Sequence, residues 1–479
     1  MNTLPSGAAI APRPTLSSAR ATISAATHAY ALPVPTDARR TLARGWLWLA
    51  LAALIGSGLF SVLLVLSRTP GLNKLFPVAD FFRVALVVHV DLSVLVWFTA
   101  MAGVLWTVNS AARHARLGQA ALVFAGLGAA VMAASAFLGR GRPVMSNYVP
   151  VLDDTLFLYG LIVFGIGFAL LALRGLLAPA TIDARLDGAG ALRFGLNASV
   201  VAAATAIAAL VWSWAALPAA LDGKAYYELL FWGGGHAIQF TWTLLMLVAW
   251  LWLATLSGAH PPLTPRVAAL LFAIALASVF AVPLIYYAWE VTSPQHRTLH
   301  TWLMRFGGGL AILPVAGAVM LGIARAQPVR GAARPLRAAL LSSLALFALG
   351  GVVGFLIRGS DVRIPAHYHG AIVGVTLALM GLTYALLPRF GYRAPEGRLA
   401  VLQPHLYGGG QLLHVVGLVW SGGYGVQRKV AGAAQVLHGS QEVLGMALMG
   451  AGGLVAVAGG LLFIVVCLRA IAAPRSADA

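Results

Sequence analysis

The sequence predicts an all-α membrane protein, a twelve-helix transmembrane bundle, and three observations carry that prediction. The chain has 479 residues, of which 60% are hydrophobic and only 10% charged, whereas a soluble domain carries about 25% charged residues because its surface faces water. Its mean hydropathy is +0.86. Windows of about twenty apolar residues, long enough to cross a hydrocarbon core of roughly 30 Å as helix, recur along the whole chain.

Twelve such windows begin near Trp46, Arg83, Leu117, Leu156, Leu196, Tyr227, Val267, Met304, Leu336, Pro365, Pro404 and Met446. Arginines punctuate them in alternate connections. Arg13, Arg20, Arg39, Arg40 and Arg44 precede the first window, and Arg113 and Arg116 lie between the second and third. Arg174, Arg185 and Arg193 follow the fourth, and Arg266 follows the sixth. Arg325, Arg330, Arg334 and Arg337 follow the eighth; Arg389, Arg393 and Arg398 follow the tenth; Arg469 and Arg475 follow the twelfth. These are 20 of the 32 Lys and Arg residues, so the positive-inside rule places both termini in the cytoplasm. The eleventh window, interrupted by Gly408-Gly409-Gly410, is the weakest.

Residues 1–40 are rich in Ala, Ser, Thr and Pro, have no acidic residue before Asp37, and lack the apolar core of a signal peptide. Residues 1–44 read as a disordered cytoplasmic tail; an organellar transit peptide shares that composition. Residues 45–470 form one transmembrane domain and 471–479 a short cytoplasmic tail. The net charge of +18 follows from the arginine bias and suits anionic lipid headgroups; no soluble basic domain supports nucleic-acid binding. One cysteine, Cys467, rules out thiolate clusters, intrachain disulfides and the c-type haem attachment motif.

Ionisable side chains inside a bilayer are functional candidates by default. Of twelve histidines, His28, His114 and His260 fall in the tail or cytoplasmic loops. His89 stands six residues after Arg83, about 9 Å down the second helix. His236 lies some ten residues into the sixth, about 15 Å deep, and His367 and His369 open the tenth. All three helices run inward, so four histidines share the outer half of the membrane. In Pro365-Ala366-His367-Tyr368-His369-Gly370 the two imidazoles point about 200° apart and cannot share one metal, but they can bind two metals flanking the helix. Imidazole is a common axial ligand of haem iron. A pair of helix-cap histidines at the membrane surface is the bland alternative.

On His89, His236, the His367-Tyr368-His369 motif and a tenth helix ending Leu387-Pro388-Arg389-Phe390, the chain resembles the catalytic subunit I of the haem–copper oxidase superfamily, which includes cytochrome c oxidases and nitric oxide reductases. The resemblance implies two haems: a low-spin haem clamped by His89 and His369, and a high-spin haem on His367. It implies copper or non-haem iron at His236, and haem propionates near Arg428 and Lys429, whose charge suits carboxylates. It further implies a terminal oxidase of the bacterial inner membrane that passes electrons from the low-spin to the high-spin haem to reduce oxygen. Membrane lipid, other oxidase subunits, and an electron donor protein or quinol are the implied partners.

The chain also departs from the pattern. The adjacent histidine pair that should end the seventh helix falls on Tyr286-Tyr287, and the next histidines come in Pro294-Gln295-His296-Arg297-Thr298-Leu299-His300. Four apart, these can share one helical face and one metal, but they read as histidines of the outer loop that would have to fold back to join His236. The position of the redox tyrosine, or of the metal-binding glutamate of nitric oxide reductases, is Phe240. Tyr286 or Tyr287 can serve as the redox tyrosine in the manner of the cbb-type oxidases. Asp91 is the one carboxylate well inside a helix, so no acidic proton channel is visible. Two alternatives to the oxidase stand: a nitric oxide reductase-like enzyme, and a membrane haem protein, electron carrier or gas sensor, that has lost the second metal.

Overall fold

The structure, a computed structural model, describes residues 29–72, 79–138, 141–430 and 435–473. Its helices are α1 (Ala38–Arg68), α2 (Phe82–Val108), α3 (Ala115–Ser135), α4 (Thr155–Leu177), α5 (Gly188–Ala216), α6 (Gly223–Leu256), α7 (Pro265–Ala288), α8 (Pro294–Ala324), α9 (Ala333–Phe355), α10 (Arg363–Arg389), α11 (Gly397–Gly423) and α12 (Ser440–Ala472). Eleven of them are long and apolar enough to cross a membrane. The remaining one, α11, is the weak eleventh window; its 27 residues continue unbroken through Gly408-Gly409-Gly410. The glycines let α11 touch α12 backbone to backbone: a Cβ on Gly410 would meet the Ala456 amide nitrogen at 2.4 Å. Small residues at such crossings are how helices pack where hydrocarbon removes the hydrophobic drive.

Side-chain chemistry sets the helix starts. Asp37, Asp154 and Asp187 accept backbone N–H groups at the first turns of α1, α4 and α5, relieving donors the helix leaves unpaired. The first helix begins at Ala38, and Tyr30 is buried with its hydroxyl donating to the Leu263 carbonyl at 2.6 Å. Residues 29–44 are therefore ordered, and the expected tail boundary at 44 falls inside α1; residues 1–28 lie outside the described part.

The eighth helix corrects the reading of the seventh connection. It starts at Pro294, ten residues before the apolar window at Met304. Ser293 caps it, its hydroxyl accepting from the His296 amide, and Pro294 occupies the first turn, where its fixed φ and missing N–H suit a helix start. His296 and His300 are thus in a helix rather than a loop. A hydropathy window misses this turn because Gln295, Arg297 and Thr298 are polar.

Two helices are central. In α6 and α10, 83% and 89% of the apolar window is buried, against 22–61% in the other nine spans. Those two carry His236 and His367/His369, so the candidate site lies in the middle of the bundle. Described residues of the odd-rank connections meet on one face, called here the odd-loop face: Lys429 of the eleventh reaches Met145 of the third, and Gln427 bridges Asp361 of the ninth. The third connection, between α3 and α4, forms a hairpin of β1 (Arg142–Val144) and β2 (Val151–Asp153), antiparallel with Pro143 opposite Leu152.

Candidate functional site

Two groups of imidazoles gather near the odd-loop face. The first comprises His89 of α2, His369 of α10 and His414 of α11. The rings of His369 and His414 are 4.5 Å apart, and His89 lies near His369. The Nδ1 of His89 donates to the Ser57 carbonyl at 3.0 Å, that of His414 to the Met449 carbonyl at 2.9 Å, and that of His369 to Gln411 Oε1 at 3.2 Å. A carbonyl oxygen only accepts, so each Nδ1 carries the proton and each Nε2 keeps its lone pair. No hydrogen-bond partner occupies those Nε2 atoms among the described residues. Arg68, at the end of α1, reaches both His369 and His414 with its charge, and its Nε and Nη2 have no partner.

His367, two residues before His369, faces the opposite neighbour. Its Nδ1 donates to the Gly350 carbonyl of α9 at 2.7 Å. The contact exists because α9 and α10 cross at glycines; a Cβ on Gly350 would stand 2.3 Å from the Ala371 nitrogen. Immediately after His89, α2 widens into a π-helical stretch, Asp91–Val96, a local insertion frequent at functional sites. Asp91 is 1% exposed and neither of its carboxyl oxygens has a partner.

The second group is His236 of α6 with His296 and His300 of α8. The His236–His300 and His296–His300 ring centroids are 6.0 and 4.4 Å apart. Nδ1 of His236 donates to the Trp232 carbonyl at 2.7 Å, and its Nε2 accepts from the Tyr148 hydroxyl at 2.8 Å. Nδ1 of His300 donates to the His296 carbonyl at 2.9 Å. The triplet Gly233-Gly234-Gly235 seats the two tyrosines that wall this group. A Cβ on Gly233 would lie 2.1 Å from Tyr286 Oη, and one on Gly235 would lie 2.2 Å from Tyr148 Cγ. Tyr286 stacks edge-on against His296 at 4.7 Å and shares a hydrogen bond with Ser213 at 2.7 Å. Tyr287, by contrast, is 86% exposed and turns away from the site, as successive helical residues must. Phe240 is buried against Gly307 of α8 and offers no donor.

Tyr148 also belongs to this group, although no motif in the sequence marks it. It reaches the site from the α3–α4 hairpin, 88 positions before His236, and tethers hold it there. Asn147 binds Glu228 of α6 through both its backbone and side-chain N–H groups, and Lys429 Nζ donates to the Met145 carbonyl at 2.6 Å. Lys429 and Arg428 line a cavity of about 450 Å³ on the odd-loop face, together with Lys224, Asp361 and Gln427. Burial, helped by the Arg428 charge, lowers the Lys429 ammonium to about 8. Asp361 is held below its usual carboxyl range by Arg363, which pairs with it at 2.5 Å. His405 and His438 are exposed and join neither group.

The bundle and its buried imidazoles define a polytopic membrane protein built to present several nitrogen donors inside the bilayer. The family described as Cytochrome C and Quinol oxidase polypeptide I matches residues 41–458, and the chain belongs to that family. A protein of Rickettsia prowazekii (strain Madrid E), described as uncharacterized, is 27% identical, the match covering 89% of this chain and 95% of the relative. An Aquifex aeolicus (strain VF5) protein with the same description is 30% identical over 75% of this chain and 88% of its own. A heme-copper terminal oxidase dimer solved by cryo-EM shares the fold, with a TM-score of 0.67 and 16% identity over 92% of this chain and 85% of that one.

Proposed function

We propose that the chain is a haem-binding membrane oxidoreductase of the oxidase type, in which His89 and His369 hold a low-spin haem and His367 a high-spin haem. One observation carries the reading: these three imidazoles each fix Nδ1–H on an oxygen and leave Nε2 without a partner among the described residues. That is how axial and metal-ligating histidines are set in tautomer and direction. Bound haem supplies one-electron transfer and, at an open iron position, a place to reduce oxygen. The protein's own residues do the rest. Arg68, Arg428 and Lys429 offer positive charge to carboxylates, and the Tyr148 and Tyr286 hydroxyls hold protons beside the second imidazole group. The basic even-rank connections support a site in the outer half of a bacterial inner membrane, with both termini cytoplasmic. Electrons then arrive from a donor protein or quinol, with partner subunits of the kind oxidases use.

A second reading is favoured by one specific observation. Tyr286 and Tyr287 occupy the place of the expected histidine pair, which suits an electron carrier or gas sensor without oxygen chemistry. A nitric oxide reductase-like activity is disfavoured because Phe240 stands where its glutamate belongs. Purified protein separates these readings by haem content and by consumption of oxygen and of nitric oxide. Two haems with oxygen uptake supports the oxidase; two haems with neither uptake supports the carrier; a folded wild-type chain without haem removes the scheme.

A further inference from the structure

No three metal-ligating side chains stand together in the second imidazole group among the described residues. The first group is more complete, and one of its orienting contacts differs in kind. The Nδ1 atoms of His89, His236, His300, His367 and His414 each have a backbone carbonyl as acceptor. His369 has none and donates instead to Gln411 Oε1 at 3.2 Å. We propose that Gln411 of α11 is a positioning residue that tunes the redox potential of the low-spin haem through His369. This role rests on the haem reading above and adds a regulator to that site.

Local packing explains the exception. Gly370 and Gly374 of α10 face α9, where a Cβ on each would meet backbone at 2.5 and 2.8 Å. Gly410 and Gly417 of α11 face α12, each with its Cβ position 2.4 Å from a backbone nitrogen. The glycines thus close the α9–α10 and α11–α12 crossings, and side chains span the interval between α10 and α11 at His369. Gln411 and His414, three apart and so on one helical face, both meet His369, the second with its ring tilted by 56°. Gln403, on the same helix, shows what a purely structural glutamine looks like. It is 0% exposed, its oxygen accepts from the Tyr384 hydroxyl at 3.1 Å, and its amide donates to the Gly459 carbonyl at 3.4 Å. The one side-chain bond of Gln411 among the described residues goes to His369.

An oxygen that accepts the Nδ1 proton fixes the tautomer, aims Nε2 and raises the basicity of the ring as a ligand. A more basic ligand favours ferric over ferrous iron, because the ferric ion carries the larger charge. Hydrogen bonding to an axial ligand is accordingly one of the levers that set a haem potential. The carbonyls behind His89 and His367 are fixed by helix crossings and cannot be varied one residue at a time. Gln411 can, so this lever lies in a single side chain. Arg68, whose charge also reaches His369, works in the opposite direction by favouring the ferrous state.

The test is a redox titration of the purified full-length protein, followed by the absorption of its reduced low-spin haem, with electron paramagnetic resonance to read the axial ligands. Gln411→Leu removes the acceptor, and Gln411→Asn draws it back by one methylene. Losing an outer-shell partner weakens a metal ligand by roughly 10–100-fold. We expect both variants to keep a bis-imidazole low-spin spectrum while losing about tenfold in ferric preference, an upward shift of about 59 mV for one electron. Gln411→Glu keeps an oxygen in place and should titrate at or below the wild-type potential. Gln403→Leu should melt earlier with its potential unmoved. Wild-type potentials in Gln411→Leu and Gln411→Asn overturn the proposal, as does an equal rise in Gln411→Glu or in Gln403→Leu. Loss of the low-spin haem from the folded variants overturns it too, since a positioning residue is not needed for ligation. If Gln411→Leu does not fold, Gln411→Asn and Gln411→Glu decide. A folded wild type without low-spin haem removes the haem reading and this role with it, whereas an intact low-spin haem whose potential does not move removes only this role.

Discussion

Gly350→Ala isolates the part of the architecture on which His367 depends. The added Cβ would lie 2.3 Å from the Ala371 amide nitrogen and 2.6 Å from the Gly370 carbonyl carbon, and both are backbone, which cannot rotate away. Ordinary contact needs about 3.5 Å, so α9 and α10 must separate locally by about 1.2 Å. The His367 Nδ1–Gly350 carbonyl bond, 2.7 Å long, then stretches to about 3.9 Å, beyond hydrogen-bonding range. Overpacking of this kind costs about 1–3 kcal/mol and the lost hydrogen bond about 1 kcal/mol, offset by the roughly 1 kcal/mol that alanine gains over glycine in a helix. The expected net destabilisation is about 1–3 kcal/mol. Gly351→Ala is the internal control. Nothing lies within 4 Å of its Cβ, so it should be neutral or slightly stabilising. Thermal unfolding in detergent should show Gly350→Ala melting below wild type and Gly351→Ala at or above it. The iron–histidine stretch in resonance Raman should weaken only in Gly350→Ala. Equal melting temperatures and identical spectra in the two variants would refute the link between the helix crossing and the imidazole.

Three further outcomes are expected. His89→Ala should remove the low-spin haem absorption and retain the haem on His367; an unchanged low-spin spectrum would exclude His89 as a ligand. Gly235→Ala should expel Tyr148, because the new Cβ would sit 2.2 Å from its Cγ; tyrosine fluorescence quenching by a soluble quencher should rise, and no change in quenching would show that Tyr148 is not seated on the glycine triplet. The Lys429 ammonium, lowered from 10.5 to about 8, binds a proton in the unfolded chain but not in the folded one between those values. Stability should accordingly rise with pH across that window and be independent of this group below 8. Lys429→Met should abolish the slope in a pH series of unfolding midpoints, and an unaltered slope would assign it elsewhere.

Most of the bundle was legible because a bilayer leaves few choices. An apolar stretch there must be helical, and each intramembrane histidine stands out against it. That was enough to pick out His89, His236, His367 and His369. It was not enough for the turn at His296 and His300, where the buried face consists of the histidines themselves and the flanking residues are polar. Hydropathy averages that turn away, while the local signal, Ser293 before Pro294, is a helix start that needs no apolar residue. Tyr148 and Arg68 were invisible for a different reason. Both act across the bundle, and their meaning arises from contacts with helices far away in sequence.

The glycines complete the argument, since they link the two kinds of information. Gly408-Gly409-Gly410 reads in the sequence as the interruption of an apolar window, and Gly233-Gly234-Gly235 stands immediately before His236. Each lies within a continuous helix and removes side chains where something else must approach. The α6 triplet admits two tyrosines to the wall of the second imidazole group, and Gly350 admits α10 to α9 so that a carbonyl can hold His367. The orienting contacts of these imidazoles are mostly backbone oxygens: Ser57, Gly350, Trp232, His296 and Met449. Backbone acceptors need no particular side chain, only the right distance between helices. The site is therefore specified less by its ligands' neighbours in sequence than by the residues small enough to let helices meet.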